Sequence, residues 1–409
     1  TGDCATGTVI PYITSIVQTW INFGQDSSFA GSKTAQGNQD GNGKGDFYYA
    51  VPSGFLALCS DNLPDPAIAL PTDYFETVLW TGDGADTKAI AASNFVMDFA
   101  WIKSRGEAQN NVLYDRVRGT GMRLVSNATN AEADLTSYGN QVEFTAPGIN
   151  VGSTNTGYEE EVNKSSVNYV GWTWKAGGTA VSNSNGSITS SVSANTTAGM
   201  SVVTWTNHNV TVGHGLSQAP ELIIIKDRSA ATSWLVYSEP VGNGHTLFLN
   251  GTNAQDNGTT YFNSTSPTSS VFSVGTGIGG STDNYLAYCF HGVDGYSKIG
   301  SYTGNNNADG PFIYTGFRPA WVMVKSYSAG GTHYDWPIYD SARSTYNAVG
   351  NVLEANQNQA EITGTGRGLP IDFLSNGFKH RSSYGENNST PSYIYLAFAE
   401  SPFKTSNAR

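Results

Sequence analysis

Charge is what this 409-residue chain has least of: Asp, Glu, Lys and Arg together make up 13% of it. The little charge there is leans acidic, with 33 Asp and Glu against 21 Lys and Arg and a formal net charge of −12. Binding to nucleic-acid phosphate needs clustered Lys and Arg, so that class of partner is excluded, and so is an anionic membrane surface. No run of eighteen apolar residues occurs, so no helical membrane span is expected. Cysteine is nearly absent. Cys4, Cys59 and Cys289 are odd in number and far apart, which speaks against a disulfide framework or a zinc site; a Cys4–Cys59 bridge stays open. Cys289 lies inside an apolar run and reads as a small buried hydrophobe. The chain begins at Thr1 with no basic-then-apolar leader, as expected of a processed or truncated product.

What the chain has in quantity is Gly (47 residues), aromatics (12%), and Ser, Thr and Asn throughout. That composition suits strands joined by tight turns. The stretch NYVGWTWK at Asn168 returns as NYLAYCFH at Asn284 and as SYIYLAFA at Ser392. Four more landmarks precede each copy in constant order. They are an aromatic followed by Thr (Trp80, Trp205, Tyr302), an apolar run closed by lysine (Lys103, Lys226, Lys325), an aromatic strand end (Tyr114, Tyr237, Tyr339), and an apolar pair leading to Asn (Asn127, Asn250, Asn356). The gaps from the first landmark to the lysine are 23, 21 and 23 residues. Constant order with nearly constant spacing marks three tandem copies of one unit.

The repeats run over 73–178, 199–296 and 297–404. Runs such as LIIIK and WVMVK are short and apolar throughout, as strands buried on both faces are. Strands every 8 to 15 residues, and no amphipathic helix longer than about two turns, predict an all-β chain of tandem β-sandwich or jelly-roll-like domains. The segment 179–198 is rich in Ser, Asn and Thr and reads as a linker or an extended arm. Residues 1–72 form a separate unit with few apolar positions, expected to complete a sheet with something else.

Three phrases, NFGQDSSFAGSKTAQGNQDGNGKGDFYYAVPSGFLALCSDNLPDP, GYSKIGSYTGNNNADGPFIYTGFRPAWVMVK and IDFLSNGFKHRSS with YIYLAFAESPF, resemble those of a family of tailed-phage virion proteins of aquatic phages, cyanophages included. The resemblance covers essentially the whole chain. It implies that the first segment is the closing part of a SPRY-like, concanavalin-type β domain and that the rest is a repeat domain of unassigned function. It further implies a virion location and a tail-fibre or appendage role. A complete SPRY-like domain would need a further stretch before Thr1, so the first segment is expected to pack on a partner or to be a fragment.

Chemistry is sparse. The six histidines show no metal-ligand spacing; His214 and His245 lie in Gly-rich turns of the second repeat only. The triplet Glu159, Glu160, Glu161 reads as a solvated cluster rather than a glycosidase pair. Asp115 and Asp340 occupy equivalent places, with Ser238 in the second copy, which fits a turn or capping role. In DGNGKGDF the oxygens of Asp40, Asn42 and Asp46 could surround calcium, although the loop lacks an EF-hand's closing Glu. No other cofactor is expected. Three modules in tandem lengthen a rod and multiply weak contacts. The leading expectation is therefore a non-enzymatic virion appendage that self-associates, for example as a trimer, meets other virion proteins and attaches to a host-surface glycan. A purely structural virion component comes second and a surface-polysaccharide depolymerase third.

Overall fold

The computed structural model describes residues 20–91, 94–138, 141–152, 158–256, 258–363 and 369–406. The chain divides into two compact units, Thr1–Asp65 and Pro66–Arg409. Cys4, and with it the Cys4–Cys59 pairing, falls outside the described residues, as does the Glu159 side chain.

The larger unit is all-β, and its longest α-helix among the described residues is the single turn Thr259–Phe262. Each repeat builds one main antiparallel sheet from strands that carry the sequence landmarks. The opening strands are Phe75–Thr81, Met200–Thr206 and Ser297–Thr303; the lysine strands are Phe99–Ser104, Leu222–Asp227 and Phe317–Ser326. The aromatic-ended strands are Asn111–Asp115, Leu235–Ser238 and Pro337–Asp340; short fourth strands follow at Met122–Val125, Leu247–Phe248 and Leu353–Glu354. The closing strands are Asn168–Trp174, Asn284–Phe290 and Ser392–Pro402. In all three sheets the spatial order is opening, closing, lysine, aromatic-ended, fourth. The last strand made is thus inserted between the first two.

The repeated landmarks meet in register. Trp80 pairs across strands with Tyr169, Trp205 with Tyr285, and Tyr302 with Tyr393. Each pair stacks, at ring-centroid distances of 5.5, 5.4 and 5.0 Å. The buried tyrosine hydroxyls donate to the backbone of the preceding loop, at Glu160 O, Gly280 O and Gly385 O. These tyrosines explain the constancy of the closing phrase: ring and hydroxyl together fix strand register and loop position.

A smaller sheet covers one face of each main sheet. It is Lys88–Ala91 with Val142–Thr145 and Gly148–Val151 in the first repeat, Val210–Gly213 with Val271–Val274 in the second, and Phe312–Tyr314 with Ile371–Leu374 and Gly377–His380 in the third. Tyr169, Tyr285 and Tyr393 lie in the separate cores between these layers. Alternate residues of the same strands, such as Val170, Trp172 and Trp174, belong to a fourth core common to all three repeats. Burial on both faces is why these strands read as unbroken apolar runs.

The repeats therefore do not string out as a rod. Trp174, Phe290 and Phe398, equivalent in the closing phrase, touch one another at centroid distances of 5.6 to 6.4 Å. Backbone bonds close the circle in one direction: Glu132 N donates to Arg228 O, Gln255 N to Tyr327 O, and Glu361 N to Arg105 O. So do side chains. Trp234 Nε1 donates to Val125 O, Trp336 Nε1 to Phe248 O, and Asn111 Nδ2 to Glu354 O. Each set links the second repeat to the first, the third to the second, and the first to the third. The unit is a ring with approximate threefold symmetry around the shared aromatic core. Two-sided hydrophobicity in the sequence is satisfied equally by stacked beads and by a closed ring; here the second face is covered by sister repeats.

The segment 179–198 contributes two strands. Val181–Asn183 and Ser190–Asn195 add to the opening edge of the second repeat's main sheet. The smaller unit, among its described residues, has turns, a 3-10 segment at Ser60–Asn62 and an isolated bridge between Asn38 and Phe47.

Candidate functional site

The acidic loop of the smaller unit is organised by its own backbone. Asp40 Oδ1 accepts from the N–H groups of Asn42 and Lys44, and Oδ2 from Ala57 N and Asn62 Nδ2. Burial works against ionisation, yet these donors hold the carboxyl down at about 2. Asn42 donates its side-chain amide to Asn62 Oδ1, while Asp46 Oδ2 accepts from Ser27 N. Asp40 and Asp46 thus have separate donor sets. Beside this loop lies a recess of about 390 Å3 lined by apolar and aromatic side chains, among them Trp20, Phe29, Tyr48 and Tyr49. Tyr49 (78%), Phe55 (68%) and Leu58 (83%) are strongly exposed, which makes this unit the greasiest part of the described surface.

Inside the ring, carboxylates serve packing. Asp115 Oδ1 caps its turn by accepting from Arg118 N, and Oδ2 accepts from Arg118 Nε and from Tyr288 OH of the second repeat. Asp340 repeats the arrangement with Arg343 N, Arg343 Nε and Trp172 Nε1 of the first repeat. The second repeat has Ser238 and Val241 in place of the acid and arginine, and the closing-strand position equivalent to Trp172 and Tyr288 is Leu396. The ion pair and its trans donor are replaced together by smaller or apolar groups, as expected when an unpaired buried charge would cost several kcal/mol. Across the junctions Arg228 binds Glu132 and Arg105 binds Glu361, both through two nitrogens.

The landmark lysines are fully buried. Their ammonium groups are held mainly by carbonyls: Lys103 by Ser104 O, Lys226 by Asp227 O and Ala230 O, Lys325 by Tyr334 O. Burial pulls Lys103 down to about 7, against Glu161 and Glu361; it pulls Lys226 to about 8 and Lys325 to about 7. Their recurrence in three copies fits loop anchoring. His214 is likewise structural: buried, with Nδ1 accepting from Leu216 N and Nε2 beside Thr268 O.

The glutamate triplet divides. Glu160 meets Lys164 and Gln109 at the surface. Glu161 is buried in a two-point pair with Arg123 and accepts from Asn110 Nδ2. Its counterpart in the third repeat is Glu386, as fixed by the neighbouring Asn163 and Asn388, which hold equivalent loops. There Val352 replaces Arg123 and Asp335 replaces Asn110. Asp335, Glu354 and Glu386 gather buried, with one oxygen of each within 4.8 Å of the others, a set that could hold a hard divalent cation. Asn356 Nδ2 and Gln357 Nε2 donate to Asp335. The sequence reading missed this cluster; aligning the three copies column by column around Glu161 would have shown an arginine missing from the third.

One concavity of the ring opens to solvent in the second repeat. It lies between the added strands of 179–198 and the ends of the opening and closing strands, with a volume of about 390 Å3. Thr206 Oγ1 donates to Asn284 Oδ1 at 3.1 Å, and Trp205, buried in the floor, donates from Nε1 to Asn207 O. Asn207 holds a left-handed conformation, φ 83°, one that Asn tolerates better than most residues. No helix among the described residues is long and apolar enough to cross a membrane.

Set beside known proteins, residues 70–402 match the model of a family described as a domain of unknown function, DUF7483. No curated protein matches the chain.

Proposed function

The chain belongs to the DUF7483 family, and from that premise we propose that it is a non-catalytic component of a tailed-phage particle, a tail-fibre or appendage protein that attaches to glycans of the host surface. The observation that carries this reading is the distribution of chemistry in the ring. Asp115, Glu161 and Glu386 are buried or paired, whereas the concavity of the second repeat, open to solvent, is lined chiefly by hydroxyls and amides. A glycosidase needs two carboxylates facing a sugar-sized cleft; a rigid body with hydroxyl- and amide-lined surface suits recognition instead. The virion assignment rests on the resemblance of the long phrases quoted above to those of tailed-phage virion proteins.

A purely structural role is the second reading, favoured by the exposed apolar side chains of the smaller unit. That surface suits assembly with a second copy or another particle protein. Two measurements on the full chain separate the readings. Immunogold labelling of intact particles is expected to mark a tail appendage; label on the capsid, or none, overturns that placement. Host-surface polysaccharide immobilised on a sensor is expected to retain the chain, and no retention leaves the structural role.

A further inference from the structure

We propose that the concavity of the second repeat is a binding site for a neutral oligosaccharide, one site per chain rather than three. The inference rests on the attachment reading above and gives it an address.

Six exposed side chains define the recess: Ser182, Thr189 and Ser191 on the added arm, and Thr206, Asn207 and Asn284 at the strand ends. All six are hydroxyls or amides. Thr206 donates to Asn284 Oδ1, which orients that amide and leaves its Nδ2 as a donor. The backbone of Asn207 is fixed from both sides, its carbonyl accepting from Trp205 Nε1 and its N–H donating to Asp283 O. Such a wall offers hydroxyls and amides, groups that can both donate to and accept from sugar hydroxyls. Its volume of about 390 Å3 falls in the range of about 300–1,000 Å3 usual for small-ligand sites.

Electroneutrality selects the class of sugar. No carboxylate lines the recess, and its one cation, Arg228, is held by Glu132 through Nε and Nη2, the shorter contact at 2.6 Å. A sialylated, uronic-acid or phosphorylated ligand would find no uncompensated positive group there. A neutral hexose or N-acetylhexosamine chain meets no charge penalty.

The other two repeats carry strand-end pairs at the equivalent positions, Thr81 with Asn168 and Thr303 with Ser392. Their main sheets end at the opening strand. Without the arm there is no second wall, so the pairs lie on an open edge. The 179–198 segment is what turns one of three equivalent edges into a recess.

The test is an array of neutral oligosaccharides beside sialylated and uronic-acid ones, probed with the full chain and with two variants. Ser191→Arg places a long side chain in the recess from an exposed strand position; Asn284→Ala removes the oriented amide. Both are expected to keep the wild-type melting temperature and to lose at least tenfold in binding to neutral glycans. Wild-type binding that both variants retain would overturn the site while leaving the attachment reading intact. Binding confined to acidic glycans would do the same. Absence of any glycan binding by the wild type would overturn both.

Discussion

The first and third repeats surround one buried carboxylate with different side chains. At Glu161 the first repeat buries a carboxylate with Arg123 and the amide of Asn110; at Glu386 the third buries it with Asp335 and Glu354 and has Val352 where the arginine would be. Backbone, loop and neighbouring asparagine are shared. The contrast teaches that a repeat's geometry is set by its tyrosine and asparagine anchors, while its buried charge varies from copy to copy.

Breaking the first repeat's version gives the largest effect. Arg123→Met strands Glu161 in the interior and should cost about 3–5 kcal/mol in urea denaturation; adding Glu161→Gln should recover much of the loss, since it removes the stranded charge. If the single variant costs under about 1 kcal/mol, the pair is not a stabilising element and the comparison fails. A second experiment moves one repeat's solution into another. Arg118→Val alone should cost a similar several kcal/mol. The combination Asp115→Ser, Arg118→Val and Tyr288→Leu, which writes the Ser238–Val241–Leu396 set into the first junction, should cost less than Arg118→Val despite carrying more changes. Additive losses would mean that the three positions are not coupled.

A subtler contrast sharpens the comparison between carboxylates. Glu161→Gln leaves a buried guanidinium short of its counter-charge, whereas Glu160→Gln touches only surface contacts with Lys164 and Gln109. The first should lower the melting temperature by a few degrees, roughly 1 kcal/mol or more in a protein of this size, and the second should leave it unchanged. The smallest effect is in pH. The buried lysines have folded pKa values lowered to about 7 or 8 against an unfolded value of about 10.4. Between those limits the unfolded chain binds more protons, so stability rises with pH from about 7 to about 10, and this contribution is absent below about 7. Lys325→Met should flatten the rise seen in melting curves at pH 7.5 and 9.5; an unchanged slope would show that Lys325 does not contribute to it.

Much of the strand layout was legible because its determinants are local. Trp80, Lys103, Tyr114 and Tyr169 recur as types at matched spacings, and each marks a strand or its end. The ring was not legible. Val170 and Trp172 announce a second buried face, but nothing in their spacing says that Phe290 and Phe398 cover it. The same holds for site chemistry: Asp335, Glu354 and Glu386 lie apart in sequence and form a group only once three strands and a loop are folded. The recess of the second repeat depends on 179–198 becoming strand, and a Ser/Asn/Thr-rich composition fits an arm and a linker equally well. Asp40, Asn42 and Asp46 stand close in sequence, yet Ala57 and Asn62, brought in by the fold, supply both donors to Asp40 Oδ2.

The position of the closing strand has a consequence for how the molecule is made. Each main sheet inserts its last-synthesised strand between its opening and lysine strands, so Phe75–Thr81 waits until Asn168–Trp174 has left the ribosome before it can pair. The circle as a whole waits longer, since Phe398 completes a core begun at Phe75, with which it stacks at 5.0 Å. During synthesis the aromatic inner faces of the early repeats have no cover, a state of exposed strand edges prone to mispairing. Expression should therefore depend on chaperone supply more steeply than the stability of the finished ring would suggest, and truncation before residue 392 should yield aggregate rather than a smaller soluble protein.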